Sequence, residues 1–101
     1  MGGCAPSDAG EDLICKRFLI GGRVQGVFYR ATVAQHARTL AVTGHAHNLP
    51  DGRVEVLAFG EPRALEELER HLWVGSSASK VTSVEATGLD PSEAPATFRT
   101  G

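Results

Sequence analysis

The order in which apolar residues alternate between strand spacing and helix spacing is the feature that most limits how this chain can fold. Alternating positions, interrupted only by Lys16, predict a first strand that Gly21-Gly22 ends; its apolar residues are Ile14, Phe18 and Ile20. From about Tyr29 the spacing becomes helical, with apolar positions at Val33, Ala34, Ala37, Leu40 and Ala41. We expect Gly44 to form the C-terminal cap of this helix.

The residues that follow predict a β-hairpin. Alternation over residues 45–49 indicates a short strand, and Pro50-Asp51-Gly52 has the composition of a turn. A second alternating run then contains Val54, Val56 and Ala58. We therefore interpret Asp51 as a turn residue rather than as a catalytic acid.

A second helix is expected to begin at Pro62, since the missing N–H of proline is tolerated in the first turn, and to end at Gly75. Its apolar stripe, which we place in the core, consists of Leu65, Leu68, Leu72 and Trp73. Val81 and Val84 predict another strand, and a last short edge strand is expected around Phe98.

Strand, helix, strand, strand, helix, strand is the order of a ferredoxin-like βαββαβ sandwich. In this α+β fold an antiparallel sheet carries both helices on one face. A chain of 101 residues has the size of a single domain, which we place at residues 13–101. Residues 1–12 show no periodicity and are expected to form a flexible N-terminal tail.

Charge and composition limit the partners of this chain. The formal net charge of -2 argues against broad binding to nucleic acid or to an acidic membrane, because many Lys and Arg side chains hold such partners. No apolar run approaches the roughly 20 residues that span a bilayer, and the N-terminus lacks the order of a signal peptide, so a cytoplasmic location is expected. Cys4 and Cys15 are expected to be free thiols.

Residues 21–30, Gly-Gly-Arg-Val-Gln-Gly-Val-Phe-Tyr-Arg, carry the strongest chemical signal. Their three glycines let the backbone turn tightly between a strand and a helix, where unpaired N–H groups and the helix dipole suit a tetrahedral oxyanion. Arg30 stands in the first turn of that helix, and its planar fork can bind two phosphate oxygens. Spacing alone leaves an alternative open, in which the glycines only form a turn and Arg30 makes a surface salt bridge.

A second segment supports the anion-binding interpretation. Residues 44–55, Gly-His-Ala-His-Asn-Leu-Pro-Asp-Gly-Arg-Val-Glu, and residues 23–30 closely resemble the two signature motifs of the acylphosphatase family, and the resemblance runs from roughly Phe18 to Glu85. It implies hydrolysis of the carboxyl–phosphate bond of acyl phosphates on a ferredoxin-like fold, without a metal or a cofactor. By motif position, Arg30 would bind the phosphate and Asn48 would hold the attacking water. The resemblance assigns further phosphate contacts to the backbone amides of Val24, Gln25, Gly26, Val27, Phe28 and Tyr29.

His45 and His47 project from the same face of their predicted strand, and Glu55 on the neighbouring strand is a conceivable third metal ligand. Two histidines without a third fixed ligand are weak evidence for a metal site. We therefore favour solvated surface residues and predict no metal ligands. His45 stands where members of the resembled family usually carry an aromatic residue.

Other functions remain open from the sequence. RNA-recognition domains share this architecture, but they stack bases on aromatic side chains of a basic sheet, and this chain has six aromatic residues and a negative balance. A non-catalytic module that binds a phosphate ligand, such as carbamoyl phosphate, would use the same loop. A metal chaperone would want a Cys-x-x-Cys pair in the first loop, which is absent. We expect a monomer that acts on a small-molecule acyl phosphate, releases inorganic phosphate and has no nucleic-acid or membrane partner.

Overall fold

The computed structural model describes residues 13–25, 28–76, 78–91 and 94–100. The elements in chain order are β1 (Ile14–Arg23), α1 (Tyr29–Thr39), β2 (Thr43–Asn48), β3 (Val54–Gly60), α2 (Pro62–Val74), β4 (Lys80–Leu89) and β5 (Phe98–Thr100). The predicted tail, residues 1–12, lies outside the described residues. Neither helix in the described ranges has the length and apolar character needed to cross a membrane.

The strands form one sheet in the order β4-β1-β3-β2-β5. β1 pairs antiparallel with both β3 and β4, and β2 pairs antiparallel with β3. β5 pairs in parallel with the outer edge of β2. The predicted ferredoxin-like arrangement is confirmed, and the short strand expected around Phe98 extends it by one edge strand.

The core lies between this sheet and the two helices. Phe18 and Ile20 of β1 stand opposite Val56 and Val54 of β3, and all four side chains are fully buried. Buried side chains of both helices belong to the same cluster, so both helices pack on one face of the sheet, as predicted; the helix residues are Tyr29, Val33, Ala34, Ala37, Leu65, Leu68 and Leu72. Each fully buried Leu or Val contributes on the order of 1.5–3 kcal/mol relative to an exposed one.

The sequence predicted that the first strand ends at Gly21-Gly22, but β1 continues to Arg23. Its register with β4 shifts between Gly21 and Gly22, which marks a β-bulge. Gly22 has a φ of 120°, and a Cβ atom there would lie 2.1 Å from the carbonyl oxygen of Lys80. Glycine at this position lets the strand continue through the irregularity, because only glycine fits both the conformation and the close approach.

The predicted cap of α1 at Gly44 is wrong. α1 ends at Thr39, whereas Gly44 lies inside β2. The residue with a positive φ after the helix is Ala41, at 60°. Gly44 is needed for a different reason, since a Cβ atom there would lie 1.8 Å from the carbonyl oxygen of Leu57 on the neighbouring strand.

α2 follows its prediction at both ends but not along its whole stripe. It begins at Pro62 and is capped by Gly75. The leucine stripe is fully buried, but Trp73 is 49% exposed, so its predicted core position is wrong. Trp73 directly follows Leu72, and consecutive helical residues point about 100° apart, which turns the indole away from the buried stripe.

Candidate functional site

The start of α1 presents a helix terminus without a side-chain cap. Phe28 occupies the cap position with φ 63° and ψ 18°, its side chain makes no capping hydrogen bond, and the first turn contains no acidic residue. The first N–H groups of a helix have no partner within the helix, and they carry its partial positive charge. An anion is therefore favoured at this terminus. Gly26 and Val27, which were predicted to contribute amides, lie outside the described residues.

Arg30 is the second residue of α1, and its side chain borders a hollow of about 300 Å³. The hollow is also lined by Val24, Phe28, Tyr29, Ala31 and Thr100. None of these lining residues is acidic, so the described wall of the hollow favours a negatively charged guest. The structure thus brings Arg30 together with three of the predicted loop residues.

Tyr29 fixes the first turn of α1 against the end of α2. Its ring is almost fully buried, and its hydroxyl donates a 2.6 Å hydrogen bond to the carbonyl oxygen of Leu72. Burial raises the pKa of the Tyr29 hydroxyl well above its usual range, so the hydroxyl stays protonated and remains a donor. Gly75 makes room for this ring, because a Cβ atom at that position would lie 2.7 Å from Cε1 of Tyr29.

Gln25 ties the loop to the hairpin between β2 and β3. Its side-chain amide donates to the carbonyl oxygens of Leu49, at 2.8 Å, and of Arg53, at 2.9 Å. Gln25 was predicted to contribute only its backbone amide, and this side-chain contact was not predicted, because the two acceptors lie 24 and 28 residues away along the chain. The one available signal was a side chain with two amide donors in a segment otherwise rich in glycine and apolar residues.

Asn48 is the last residue of β2, where it pairs with Val54 and is exposed. It is not among the residues that line the hollow beside Arg30. It directly precedes Leu49, whose carbonyl oxygen accepts the hydrogen bond from Gln25. The two hydrogen bonds of Gln25, which we call the clamp, therefore hold the Asn48 end of the hairpin next to the loop that leads to Arg30.

Asp51 acts within the hairpin turn. Its carboxylate accepts hydrogen bonds from the backbone N–H of Arg53 at 3.0 Å and from Nε of Arg53 at 2.8 Å. The backbone hydrogen bond from Arg53 is the main cause that lowers the pKa of Asp51. A carboxylate held in its ionised form by its own turn does not suit the role of a general acid.

A second group of polar side chains lies on β2 and β3. The rings of His45 and His47 stack with centroids 4.0 Å apart and an interplanar angle of 7°. Nε2 of His45 lies 3.5 Å from Oε1 of Glu55, while Nε of Arg17 donates to the other oxygen of that carboxylate. Among the described residues, His45, His47 and Glu55 are the group whose ligand atoms, one from each, lie within 4.8 Å of one another.

Known proteins resemble this chain over most of its length. The family model described as Acylphosphatase matches residues 16–100. An acylphosphatase of Chromohalobacter salexigens is 48% identical over 87 residues, which cover 86% of this chain and 96% of that protein. An acylphosphatase of Xanthomonas campestris is 55% identical over 71 residues, which cover 70% and 81% of the two chains. The structure of an acylphosphatase from Coxiella burnetii superposes with a TM-score of 0.87 at 30% identity, over 94% of this chain and 99% of that one.

Proposed function

Because the chain belongs to the acylphosphatase family, we propose that Arg30 binds the phosphoryl group of an acyl phosphate and that Asn48 holds the water that attacks it. The reaction is hydrolysis of the carboxyl–phosphate bond to a carboxylate and inorganic phosphate. The observation that carries this assignment is the position of Arg30, which borders a hollow at the uncapped start of α1.

The phosphoryl oxygens have two kinds of donor in this proposal. The guanidinium of Arg30 takes two oxygens in a planar fork, which fixes orientation as well as charge. The backbone amides of residues 24–29 supply the remaining hydrogen bonds at the positive end of the α1 dipole. Charge that develops on the equatorial oxygens in the transition state is then stabilised by groups that are already in place.

The chemistry needs no general acid. The water oxygen attacks phosphorus, the bond from phosphorus to the carboxyl oxygen breaks, and the carboxylate leaves with the bonding electron pair. A carboxylate is stable without protonation near neutral pH. The carbonyl oxygen of the Asn48 side chain accepts a hydrogen bond from the attacking water, and the proton that the water loses passes to a phosphate oxygen. Positioning and charge stabilisation therefore carry the catalysis.

Gln25 has a positioning role in this proposal, because its two hydrogen bonds hold the hairpin that carries Asn48 against the loop. Gln25→Ala should lower kcat while the chain stays folded, since a small displacement of the water-holding group costs rate. Gln35→Ala is the matched control, because Gln35 is an exposed glutamine on α1. Equal turnover of the two variants would remove the clamp from the mechanism.

The test is turnover of a simple alkyl or aryl acyl phosphate in the presence of a chelator, by the wild type, Arg30→Ala and Asn48→Ala. Asn48→Ala should lose roughly a hundred- to a thousandfold in kcat, as for the loss of one oriented polar group. Arg30→Ala should lose more. Arg63→Ala, which removes an exposed arginine at the second position of α2, should behave as wild type. A folded Arg30→Ala variant with full activity would contradict the proposal.

The proposal also includes a monomeric state, a cytoplasmic location and the absence of a nucleic-acid partner. The net charge of -2 supports the last of these. Analytical ultracentrifugation, cell fractionation and an RNA-binding assay at low salt measure the three properties. Salt-sensitive RNA binding that Arg30→Ala leaves unchanged would favour an RNA-binding module on the same fold.

A further inference from the structure

We propose that His45, His47 and Glu55 form a surface site for a divalent late first-row transition ion of the Zn²⁺ type. The three residues lie on neighbouring strands, and neither histidine lines the hollow beside Arg30. The site is therefore separate from the proposed phosphate site, and the inference does not depend on the proposed catalytic mechanism.

Strand geometry places the three ligands on one face. His45 and His47 are two residues apart on β2, so their side chains point to the same side of the sheet. Ala46 between them is fully buried in the core, which puts the histidines on the face away from the helices. Glu55 stands directly opposite His47 in the β2–β3 register. Directly opposed residues on one face have Cβ atoms about 5 Å apart, within reach of a common ion.

The distances fit a site that closes on an ion. One ligand atom from each residue lies within 4.8 Å of the others. Ligands bound to Zn²⁺ at about 2.0–2.1 Å in a tetrahedral arrangement lie roughly 3.3 Å apart, so rotations about side-chain torsions are enough to bring them in. The side chains of His45 and Glu55 are 29% and 20% exposed, which leaves them room for this movement. Both histidines also line a cleft of about 660 Å³ that gives an ion access to the site.

A neighbouring guanidinium already orients one of the three ligands. Nε of Arg17 contacts Oε2 of Glu55 and leaves Oε1 facing His45, as an outer partner that orients a ligand would do.

Two imidazoles and one carboxylate are the ligand set of an open zinc site, in which the fourth position takes water. Nitrogen ligands select Zn²⁺, Cu²⁺, Ni²⁺ or Co²⁺ over Mg²⁺ and Ca²⁺, which prefer oxygen ligands only. We therefore expect Zn²⁺ binding and no measurable competition by Mg²⁺.

A second histidine pair provides a matched control. His36 of α1 and His71 of α2 also stack, with centroids 3.7 Å apart and an interplanar angle of 9°. Glu67 stands 3.7 Å from Nε2 of His71. Within the described ranges, however, these three residues do not bring a ligand atom from each within 4.8 Å. Both histidine pairs are stacked, so the stacking does not distinguish them. The nearby carboxylate of Glu55 is what distinguishes the proposed metal site from the control pair.

The experiment is calorimetric titration of Zn²⁺ into chelator-stripped protein that carries Cys4→Ser, so that this thiol adds no binding. One saturable equivalent is expected. Glu55→Gln and His47→Asn should each weaken the affinity by about a hundredfold or more, since even outer-shell changes cost 10–100-fold. His36→Asn and Arg30→Ala should leave the affinity unchanged. Circular dichroism establishes that each variant is folded, and Glu55→Gln keeps the shape of the side chain.

The visible absorption of bound Co²⁺ provides a second readout, because its intensity and position report imidazole and carboxylate ligation of low coordination number. The spectrum should appear in wild type and in His36→Asn and disappear in Glu55→Gln. Absence of saturable Zn²⁺ binding, or binding that survives in both Glu55→Gln and His47→Asn, would overturn the proposal. Neither outcome affects the acyl phosphate test, which is performed with a chelator present.

Discussion

Both helices of this protein carry an arginine at their second position, yet their N-termini differ. Arg30 is the second residue of α1, and Arg63 is the second residue of α2. Neither start has a side-chain capping bond or an acidic residue in its first turn. The first backbone hydrogen bond of each helix measures 3.0 Å. Judged only by side-chain capping bonds and by the charge of the first turn, the two helix starts are equally suited to an anion.

The residues just before each helix separate the two termini. Phe28 precedes α1 with a positive φ of 63°, after a glycine-rich segment. Glu61 precedes α2 in an extended conformation with φ -69°, and Pro62 then has no N–H to donate. α2 therefore has one fewer donor and a carboxylate at its cap position, which repels an anion. We therefore expect an anion at the start of α1 and not at the start of α2, although each helix carries an arginine at its second position.

Among the changes that compare the two helices, Arg30→Lys has the largest expected effect. Arg30→Lys should lower kcat/KM by roughly a hundredfold, because lysine keeps the charge but loses the planar fork that holds two phosphate oxygens. Arg63→Lys should leave kcat/KM unchanged. Steady-state kinetics on one acyl phosphate measure both variants. Full activity of Arg30→Lys would show that charge alone, and not the planar fork at α1, sets the rate.

The helix ends sharpen the same comparison. Both helices are followed by a residue with a positive φ, which is Ala41 at 60° after α1 and Gly75 at 65° after α2. The N–H of Val42 donates to the carbonyl oxygen of Ala37 at 2.8 Å, as in a Schellman motif. Glycine is the residue that adopts such conformations without steric cost, so only α2 has the favourable residue at its end.

Gly75→Ala should reduce the free energy of unfolding by about 2–3 kcal/mol. The residue has ψ -150°, a conformation open to glycine almost alone, and its new Cβ would lie 2.7 Å from the Tyr29 ring. Gly52→Ala is the control, since Gly52 has φ 95° but no atom within 4 Å of the added Cβ. Urea unfolding measures both. Equal losses would mean that the close contacts of the added Cβ with Tyr29 and Ser79 contribute nothing.

Ala41→Gly should raise the free energy of unfolding by about 1 kcal/mol, because it removes the steric cost of a positive φ. This value is net, since relief of roughly 1–2 kcal/mol of steric cost is partly offset by the greater freedom of glycine in the unfolded chain. Thermal unfolding should show a midpoint higher by roughly 4–8 °C for a full 1 kcal/mol. A lower midpoint would mean that the Ala41 backbone is not strained.

The smallest effect concerns the contact between the two helices and depends on pH. Burial, and then the neighbouring His71, lowers the pKa of His36. The unfolded state, with a pKa near 6.5, therefore binds more protons in the window just below that value, and stability falls as the pH drops through it. The free energy of unfolding at pH 5.5 should be lower than at pH 7.5, with a smaller decrease in His36→Gln. A steeper decrease in the variant would mean that folding raises the pKa of His36 and does not lower it. A chelator keeps metal binding at His45 out of this measurement.

The sequence was enough to predict the order of elements because each buried face carries a clear period. Phe18, Ile20 and the leucines of α2 all pack where their spacing indicated. Apart from Trp73, which lies one helical step away from the buried stripe, the errors concern glycines whose role depends on partners far along the chain. Gly22 and Gly44 read as breaks, yet each is glycine because a strand carbonyl lies within about 2 Å of where a Cβ atom would be.

The candidate site divides in the same way. Glycines and an arginine at a strand-to-helix junction predicted the place of Arg30, because those residues determine the local backbone. The clamp made by Gln25 and the contact of Glu55 with His45 depend on strand pairing, which local spacing does not report. The sequence offered Glu55 as a third ligand only on the condition that its strand brings it to the histidines, and solvated histidines were therefore favoured.

The most direct test of the anion site is a titration of inorganic phosphate followed by backbone amide chemical shifts. The amides of Phe28, Tyr29 and Arg30 should shift saturably with one affinity, and those of Arg63 and Leu65 should not move with it. Arg30→Ala should weaken the affinity. Equal shifts at both helix starts, or none at α1, would contradict the account.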